Sequence, residues 1–288
     1  MGSFSILNNI AGINAQNQLN INNVNLSGTL MRLSSGKRIN SGSDDAAGLQ
    51  IADSLQANTY ALNQAVRNAN DGVSVSQIAD GALQQVTNLL TRGVTLAEEA
   101  STQSIDSAGR ASLNAEFTSI QSEIARIAVQ TNYNGNNVFS TSGVNGTLAV
   151  FVGDMNAAST INVTVGTITT TNNGTVTAFN GSGGISSISL ADTASAASAL
   201  LTIKSALSAV AGMRADLGAG MNRLQSAVAV LQTTSQNTQA AESSIRDANV
   251  AQEIASLTKE NILSSSGMAA LAQANSNSQS VMTLLRNI

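Results

Sequence analysis

The sequence predicts a mainly α fold, in which long helices from both chain ends form a coiled-coil bundle and a small β-hairpin region is inserted at mid-chain. Three observations predict it. The 288 residues include no proline, so helices can run without kinks or forced stops. Aliphatic side chains recur at helical spacing on both sides of the chain centre. From Gly135 to about Ser189 the chain is instead rich in Gly, Thr, Asn and Ser, and its apolar residues alternate.

Near the N-terminus Ile6, Ile10 and Ile13, then Leu26, Leu30 and Leu33, follow the helical rhythm of three and four. The segment SSGKRINSGS that follows reads as a turn. Ser43 is then placed as a helix N-cap, with Asp44 and Asp45 in the first turn favouring the dipole. Ile51, Leu55, Leu62 and Ala69 share one face of that helix. Asn70-Asp71-Gly72 reads locally as a break, after which Val73 to Ala100 is again helical. STQSIDSAGR, residues 101–110, reads as a loop, and Leu113, Phe117, Ile120, Ile124 and Ile127 form the next stripe.

The character changes after Tyr133-Asn134-Gly135. Leu148, Val150 and Val152 alternate with their neighbours, as do Ile161, Val163 and Val165, the period of strands. Asn173-Gly174 and Asn180-Gly181 are hairpin-type turn dipeptides. Beyond them Leu200, Leu207, Met221 and Val228 recur every seven residues, with Arg214 the exception. Ile203, Val210, Leu217, Leu224 and Leu231 fill a second heptad series, so the two predict a coiled-coil seam. Val281, Leu284, Leu285 and Ile288 form a last helical face. Periodicity alone equally describes a monomeric bundle, the simpler reading at this point.

Composition narrows the chemistry. The chain has no histidine, cysteine or tryptophan, which removes the common catalytic bases, thiol nucleophiles, disulfides and zinc sites. Ser256-Leu257-Thr258-Lys259 and Ser34-Ser35-Gly36-Lys37 fit S-x-x-K, but neither is followed by the elements that complete such a site. Asp44-Asp45 matches no calcium-loop spacing, and Glu98-Glu99 and Glu123 are spaced as exposed helix charges. No enzyme, cofactor or metal is expected. Net charge is −4, and the 13 basic residues form no cluster that would track phosphates, so no nucleic acid is expected. No uninterrupted apolar run is long enough to cross a bilayer. Met1 to Ile10 lacks the basic region and apolar core of a secretory signal.

The charges that remain are unevenly placed. Met1 to Met31 carries none, and neither do Asn261 to Leu285 or Met155 to Ala191. Uncharged ends suit burial in an assembly, where ions would be costly to desolvate.

Three segments together resemble bacterial flagellin. They are LSSGKRINSGSDDAAGLQIADSL at 33–55, RNANDGVSVSQIADGAL at 67–83 with QTNYNG beyond it, and AESSIRDANVAQEIASLTKENIL at 241–263 followed by LAQAN and VMTLLRNI. The resemblance is collinear at both ends; only Asn137 to about Ala199 has no counterpart. It implies a structural subunit that polymerises helically into the flagellar filament for motility, with a hook–filament junction protein as the alternative. It also implies a helix continuing through Asp71-Gly72.

The implied organisation is an inner-tube helix over 1–40 and outer-tube helices over 41–140. A β-hairpin insert at 141–190 follows, then an outer-tube helix over 191–243 and a second inner-tube helix over 244–288. Inner-tube packing would fall to Ile6, Ile10, Ile13, Leu26, Leu30, Leu33, Val250, Ile254, Leu257, Val281, Leu284, Leu285 and Ile288. The outer-tube seam would be Leu200, Ile203, Leu207, Val210, Leu217, Met221, Leu224, Val228 and Leu231. Arg92, Leu96 and Glu116 match positions that an innate immune receptor reads in some members, although Gly93, Val94 and Thr95 depart from the recognised pattern, and contacts between subunits are the preferred reading of the three. The implied partners are further copies of the chain, an export chaperone, and cap and hook-junction proteins, with no membrane. The implied location is extracellular, reached by type III export without a cleaved signal peptide. The zinc protease of some members needs histidines that this chain lacks.

Overall fold

A computed structural model describes residues 9–139, 146–153, 159–170, 176–179, 182–186 and 188–286, with side chains described to 280 in the last segment. The described residues hold five helices and seven short strands. The helices are α1 (Ile10–Ser35), α2 (Ala46–Ala100), α3 (Ser107–Gln130), α4 (Thr193–Arg246) and α5 (Val250–Arg286). The strands, all between α3 and α4, are β1 (Asn132–Tyr133), β2 (Asn136–Asn137), β3 (Thr147–Phe151), β4 (Thr160–Thr164), β5 (Ile168–Thr170), β6 (Val176–Phe179) and β7 (Ser182–Gly183). Long helices toward both ends and a small antiparallel strand region between them match the expected mainly α class.

The chain divides into two compact units, residues 58–236 and residues 1–57 with 237–288. In the first, α2 buries Leu62, Ala65, Ala69, Gly72, Ser76, Ala79, Leu83, Val86, Leu90, Gly93, Ala97 and Ala100. The steps of three and four persist throughout, a heptad seam in which small residues separate the leucines. Helix α4 answers with Ala199, Ile203, Ala206, Val210, Met213, Leu217, Gly220 and Leu224. The two run antiparallel, because Ser235 bonds Asn63 at 3.1 Å and Arg214 pairs with Asp80 at 2.7 Å. Phe117 and Ile124 of α3 complete the same core with Val150, Val163 and Phe179 from the strands.

The strands form three antiparallel sheets, β1-β2, β3-β4 and β5-β6-β7. Asn134 (φ 50°) and Gly135 (φ 80°) both take the left-handed region between β1 and β2, the hairpin geometry that favours this dipeptide. In β3 and β4, Val150 faces Ile161 and Leu148 faces Val163. The turn dipeptides expected at Asn173-Gly174 and Asn180-Gly181 lie outside the described residues.

In the second unit α1 and α5 lie antiparallel. The chain between α1 and α2 crosses the α4–α5 junction as an isolated antiparallel bridge, Lys37 with Asp247. Arg38 N donates to Arg246 O at 2.6 Å and Ala248 N to Gly36 O at 2.9 Å. Gly36 ends α1 in the left-handed region (φ 69°), the usual helix stop. Arg246 also reaches Asp53 at 3.1 Å.

Several local expectations are corrected. Asp45, not Ser43, caps α2: its Oδ1 accepts from Gly48 N at 2.8 Å, while Asp44 serves the preceding turn through Asn40 N and Ser41 N. The break read locally at 70–72 is absent, and α2 runs through it for 55 residues, the continuation that the resemblance implies. The loop read at 101–110 is shorter, because Asp106 caps α3 by accepting from Gly109 N. Ile51 is half-exposed instead of sharing the inward face. An 18-residue window of α4 reaches mean hydropathy 1.4 with a third of it buried. Scattered Ala, Val and Leu supply that value without an unbroken apolar run, and one face of α4 is core.

Candidate assembly surface

In α1 the side facing α5 carries Gly12, Ala15, Leu19, Asn22, Leu26, Thr29 and Leu33 as its buried or half-buried residues. In α5 the corresponding residues are Glu253, Leu257, Glu260, Ser264, Gly267, Leu271 and Ala274. Both sets step by three and four, so each is a heptad seam. Nine of these fourteen members are glycine, small or polar, and the other five are leucine.

Besides the leucines of this seam, a second set of large apolar residues points away from it. Ile10, Ile13, Ile21, Val24, Leu30 and Met31 of α1 are exposed, Val24 by 73%, and so are Val250, Ile254, Ile262, Leu263 and Met268 of α5. A usual amphipathic helix confines its large apolar residues to the inward stripe. Leaving that much aliphatic surface in water is unfavourable by about 25 cal/mol per Å².

The expected packing residues therefore separate. Leu26, Leu33 and Leu257 belong to the intrachain seam, whereas Ile10, Ile13, Leu30, Val250 and Ile254 lie on the outward faces. Ile6 and Ile288 are outside the described residues, as are the side chains of Val281, Leu284 and Leu285. Ile21, Val24, Met31, Ile262, Leu263 and Met268 were not singled out from sequence. Isolated among Asn, Ser and Ala, they fill no single unbroken stripe.

Polar residues hold the seam. Asn9 caps α1 by accepting from Gly12 N at 2.9 Å, and its amide donates to Ala274 O at 3.1 Å. Thr29, fully buried, donates its hydroxyl to Glu260 Oε1 at 3.2 Å and accepts from Arg32 Nη2 at 3.2 Å. Arg32 Nε donates to Glu253 Oε2 at 3.2 Å. Four side chains thus form one continuous line across the two helices.

On α4 the expected seam is resolved into two rows. Ile203, Val210, Leu217, Leu224 and Leu231 are buried, but Leu200, Leu207, Met221 and Val228 are only half-buried beside them. The second inward row lies one residue earlier, at Ala199, Ala206, Met213 and Gly220. That offset accounts for Arg214. It stands on the flanking row, where Asp80 holds its guanidinium above the usual range through a side-chain hydrogen bond.

Arg92 and Glu116 form an exposed ion pair at 2.8 Å between α2 and α3, whereas Leu96 is fully buried. The three do not form one surface patch. Elsewhere, hydrogen bonds from Ser195 lower the Asp192 carboxyl, and those from Ser41 and Asn40 lower that of Asp44. Arg126 likewise lowers Glu123 by hydrogen bonding. Among the described residues no three His, Cys, Asp or Glu side chains are grouped to hold a metal.

The profile of the bacterial flagellin N-terminal helical region matches residues 6–143, and that of the C-terminal helical region matches residues 200–285. The chain is 37% identical over 284 residues to a flagellar filament 30.7 kDa core protein of Treponema maltophilum, covering 97% of this chain and 99% of that one. It is 35% identical over 289 residues to flagellin FlaB1 of Treponema pallidum, covering 98% and 99%. It is 36% identical over 283 residues to a flagellin of Halalkalibacterium halodurans, again covering 98% and 99%.

Proposed function

The chain belongs to the bacterial flagellin family and is a structural subunit of the flagellar filament, and we propose that it assembles there through the outward aliphatic faces of α1 and α5. One observation carries this reading: the α1–α5 pair closes on a seam of leucines interleaved with small and polar residues, and leaves a second set of large apolar side chains exposed on both helices. Such a pair is incomplete alone and is satisfied by further copies. A contact repeated between unlike faces yields an open helical filament when its rotation does not close into a ring.

On the same reading, residues 1–40 and 244–288 form the inner layer of the filament, and 41–140 with 191–243 form the outer layer around it. The heptad rows of α4, Leu200 to Leu231, give the outer layer its stiffness, and an insert at 141–190 lies on that layer. An export chaperone, and cap and hook-junction proteins, would cover the outward faces of α1 and α5 before and at the ends of assembly. Location outside the cell is supported by a chain without cysteine, which forms no disulfide cross-links where oxidation is favoured. N-terminal sequencing of filament protein tests export without a cleaved leader. Lack of catalysis rests on the missing histidine and cysteine.

Seeded elongation tests the assembly reading. Purified chain is expected to extend filament fragments into long filaments. Binding confined to fragment ends, with no elongation, would instead identify a junction protein.

A further inference from the structure

We infer that the Glu253–Arg32–Thr29–Glu260 line is a register lock, which fixes how α5 is set along α1 and so which aliphatics align on the outward faces. Its consequence for assembly rests on the reading above; the register itself does not.

The apolar part of the seam cannot fix register alone. Gly267 of α5 lies against Leu19, where an added Cβ would meet Leu19 Cγ at 3.3 Å. Seven residues further along α1 stands Leu26, on the same face. Sliding α5 by one heptad, about 10 Å, would replace leucine on glycine with leucine on glycine. Leu19 would then meet Ala274, another small residue. Seams of this kind are known to choose register through polar groups placed within them.

The polar line distinguishes the two settings. In the observed one, Arg32 satisfies Glu253 and Thr29 satisfies Glu260. In the slid one Arg32 would take Glu260, Thr29 would face Gly267, and Glu253 would lose Arg32, the only charged residue of α1. Thr29 is fully buried and the Glu253 side chain is 14% exposed, so groups stranded there cannot recover their hydration cheaply. Glu260 Oε2 already lacks a partner, which makes the bond at Oε1 the one that anchors this carboxylate. The backbone bridge at Lys37 and Asp247 pins only the end of the pair.

Cysteine cross-linking on the full-length, unpolymerised chain tests the lock, since the chain has no cysteine of its own. Leu19→Cys with Gly267→Cys reports the observed register, and Leu26→Cys with Gly267→Cys the slid one. With the polar line intact, mild oxidation is expected to link only the first pair. With Thr29→Val, Arg32→Met, Glu253→Gln and Glu260→Gln together, the second pair is expected to link at least tenfold faster than before. Unchanged exclusion of the second pair, with the first still linking, overturns the lock and leaves the backbone bridge sufficient. Should neither pair link in that variant, single changes decide. Thr29→Val is expected to admit the slid pair and Thr29→Ser to exclude it, and equal linking in the two overturns the proposal. Because no filament forms in these measurements, failure here is distinct from failure to elongate seeds.

Discussion

Gly220 of α4 lies directly beneath Val163 of β4, so close that a Cβ on the glycine would come within 2.4 Å of Val163 Cγ1. Gly72 of α2 holds the same relation to Val150 of β3, at 2.6 Å from Cγ2. The β3–β4 hairpin therefore rests on both long helices of its unit through two glycines. Gly72 is also the residue that made 70–72 look like a break.

Substituting these glycines is expected to separate helix propensity from packing. At Gly212 and Gly218 of α4 an added Cβ meets nothing within 4 Å, so Ala there should stabilise by about 0.5–1 kcal/mol. Gly220→Ala gains the same propensity but must displace Val163, an overpacking cost of about 1–3 kcal/mol. Urea unfolding followed by circular dichroism should raise the midpoint for Gly212→Ala and lower it for Gly220→Ala. A rise in both would disprove the close docking of the hairpin.

The class of fold was legible because long aliphatic rhythms and the absence of proline need no tertiary information. The inward row of α2 was not, because Gly72, Ser76, Ala79, Gly93 and Ala97 carry no hydrophobic signal and yet are buried. On α4 the larger Leu200, Leu207 and Met221 drew attention from Ala199, Ala206 and Gly220, whose smallness lets the helices approach. The assembly surface was half legible. Ile10, Ile13 and Leu30 were found by period, but which side of α1 meets α5 depends on Thr29 and Arg32 having partners 231 and 221 residues away. No local pattern encodes that distance.

Acid should weaken the start of α4. Asp192 accepts from the Ser195 N–H and hydroxyl, both at 2.8 Å, and these bonds lower its pKa below the ordinary 3.8. A carboxyl lowered in the folded state contributes stability above its unfolded pKa and loses it as pH falls through the folded value. The stability gap between the parent chain and Asp192→Ala should therefore be full at pH 6 and shrink steadily below about pH 4. A gap independent of pH between 6 and 3 would remove the ionised cap from the account.

Arg214 interrupts an otherwise apolar flanking row, and its partner Asp80 is about equally exposed, 32% and 35% by side chain. Pairs this open contribute about 0–1 kcal/mol and are screened by salt. Arg214→Leu is expected to leave stability within about 1 kcal/mol of the parent. A double-mutant cycle with Asp80→Ala should give a coupling that fades in 1 M salt. Coupling above about 2 kcal/mol that survives salt would mean the pair is far better shielded than its exposure indicates.

Leu96 and its neighbours Arg92 and Glu116 should behave as different kinds of residue. Leu96→Ala empties a fully buried position and is expected to cost about 2–5 kcal/mol. Arg92→Ala and Glu116→Ala, breaking an exposed pair, should each cost under about 1 kcal/mol. Thermal melts of the three variants check this. Any immune-receptor assay on Leu96→Ala must therefore be read against its loss of fold, and a melt equal to the parent's would show that Leu96 is not core.

The outward face of α1 should matter for assembly and not for folding. Val24 is 73% exposed and apart from the α5 seam, so Val24→Asp should change monomer stability by no more than about 0.5 kcal/mol. In a filament the same carboxylate would have to be buried among aliphatics without a partner, which costs several kcal/mol at each repeat. Elongation of fragments by Val24→Asp should therefore fail, or need a subunit concentration higher by at least a hundredfold. Val24→Ile, which keeps the face apolar, should elongate at close to the parent rate. Asn25→Asp adds the same charge one position on, outside the aliphatic set of Ile21, Val24 and Met31, and should be tolerated better than Val24→Asp. Equal inhibition by the two aspartates would show that charge anywhere on α1 is excluded, and the specific aliphatic face would lose its support.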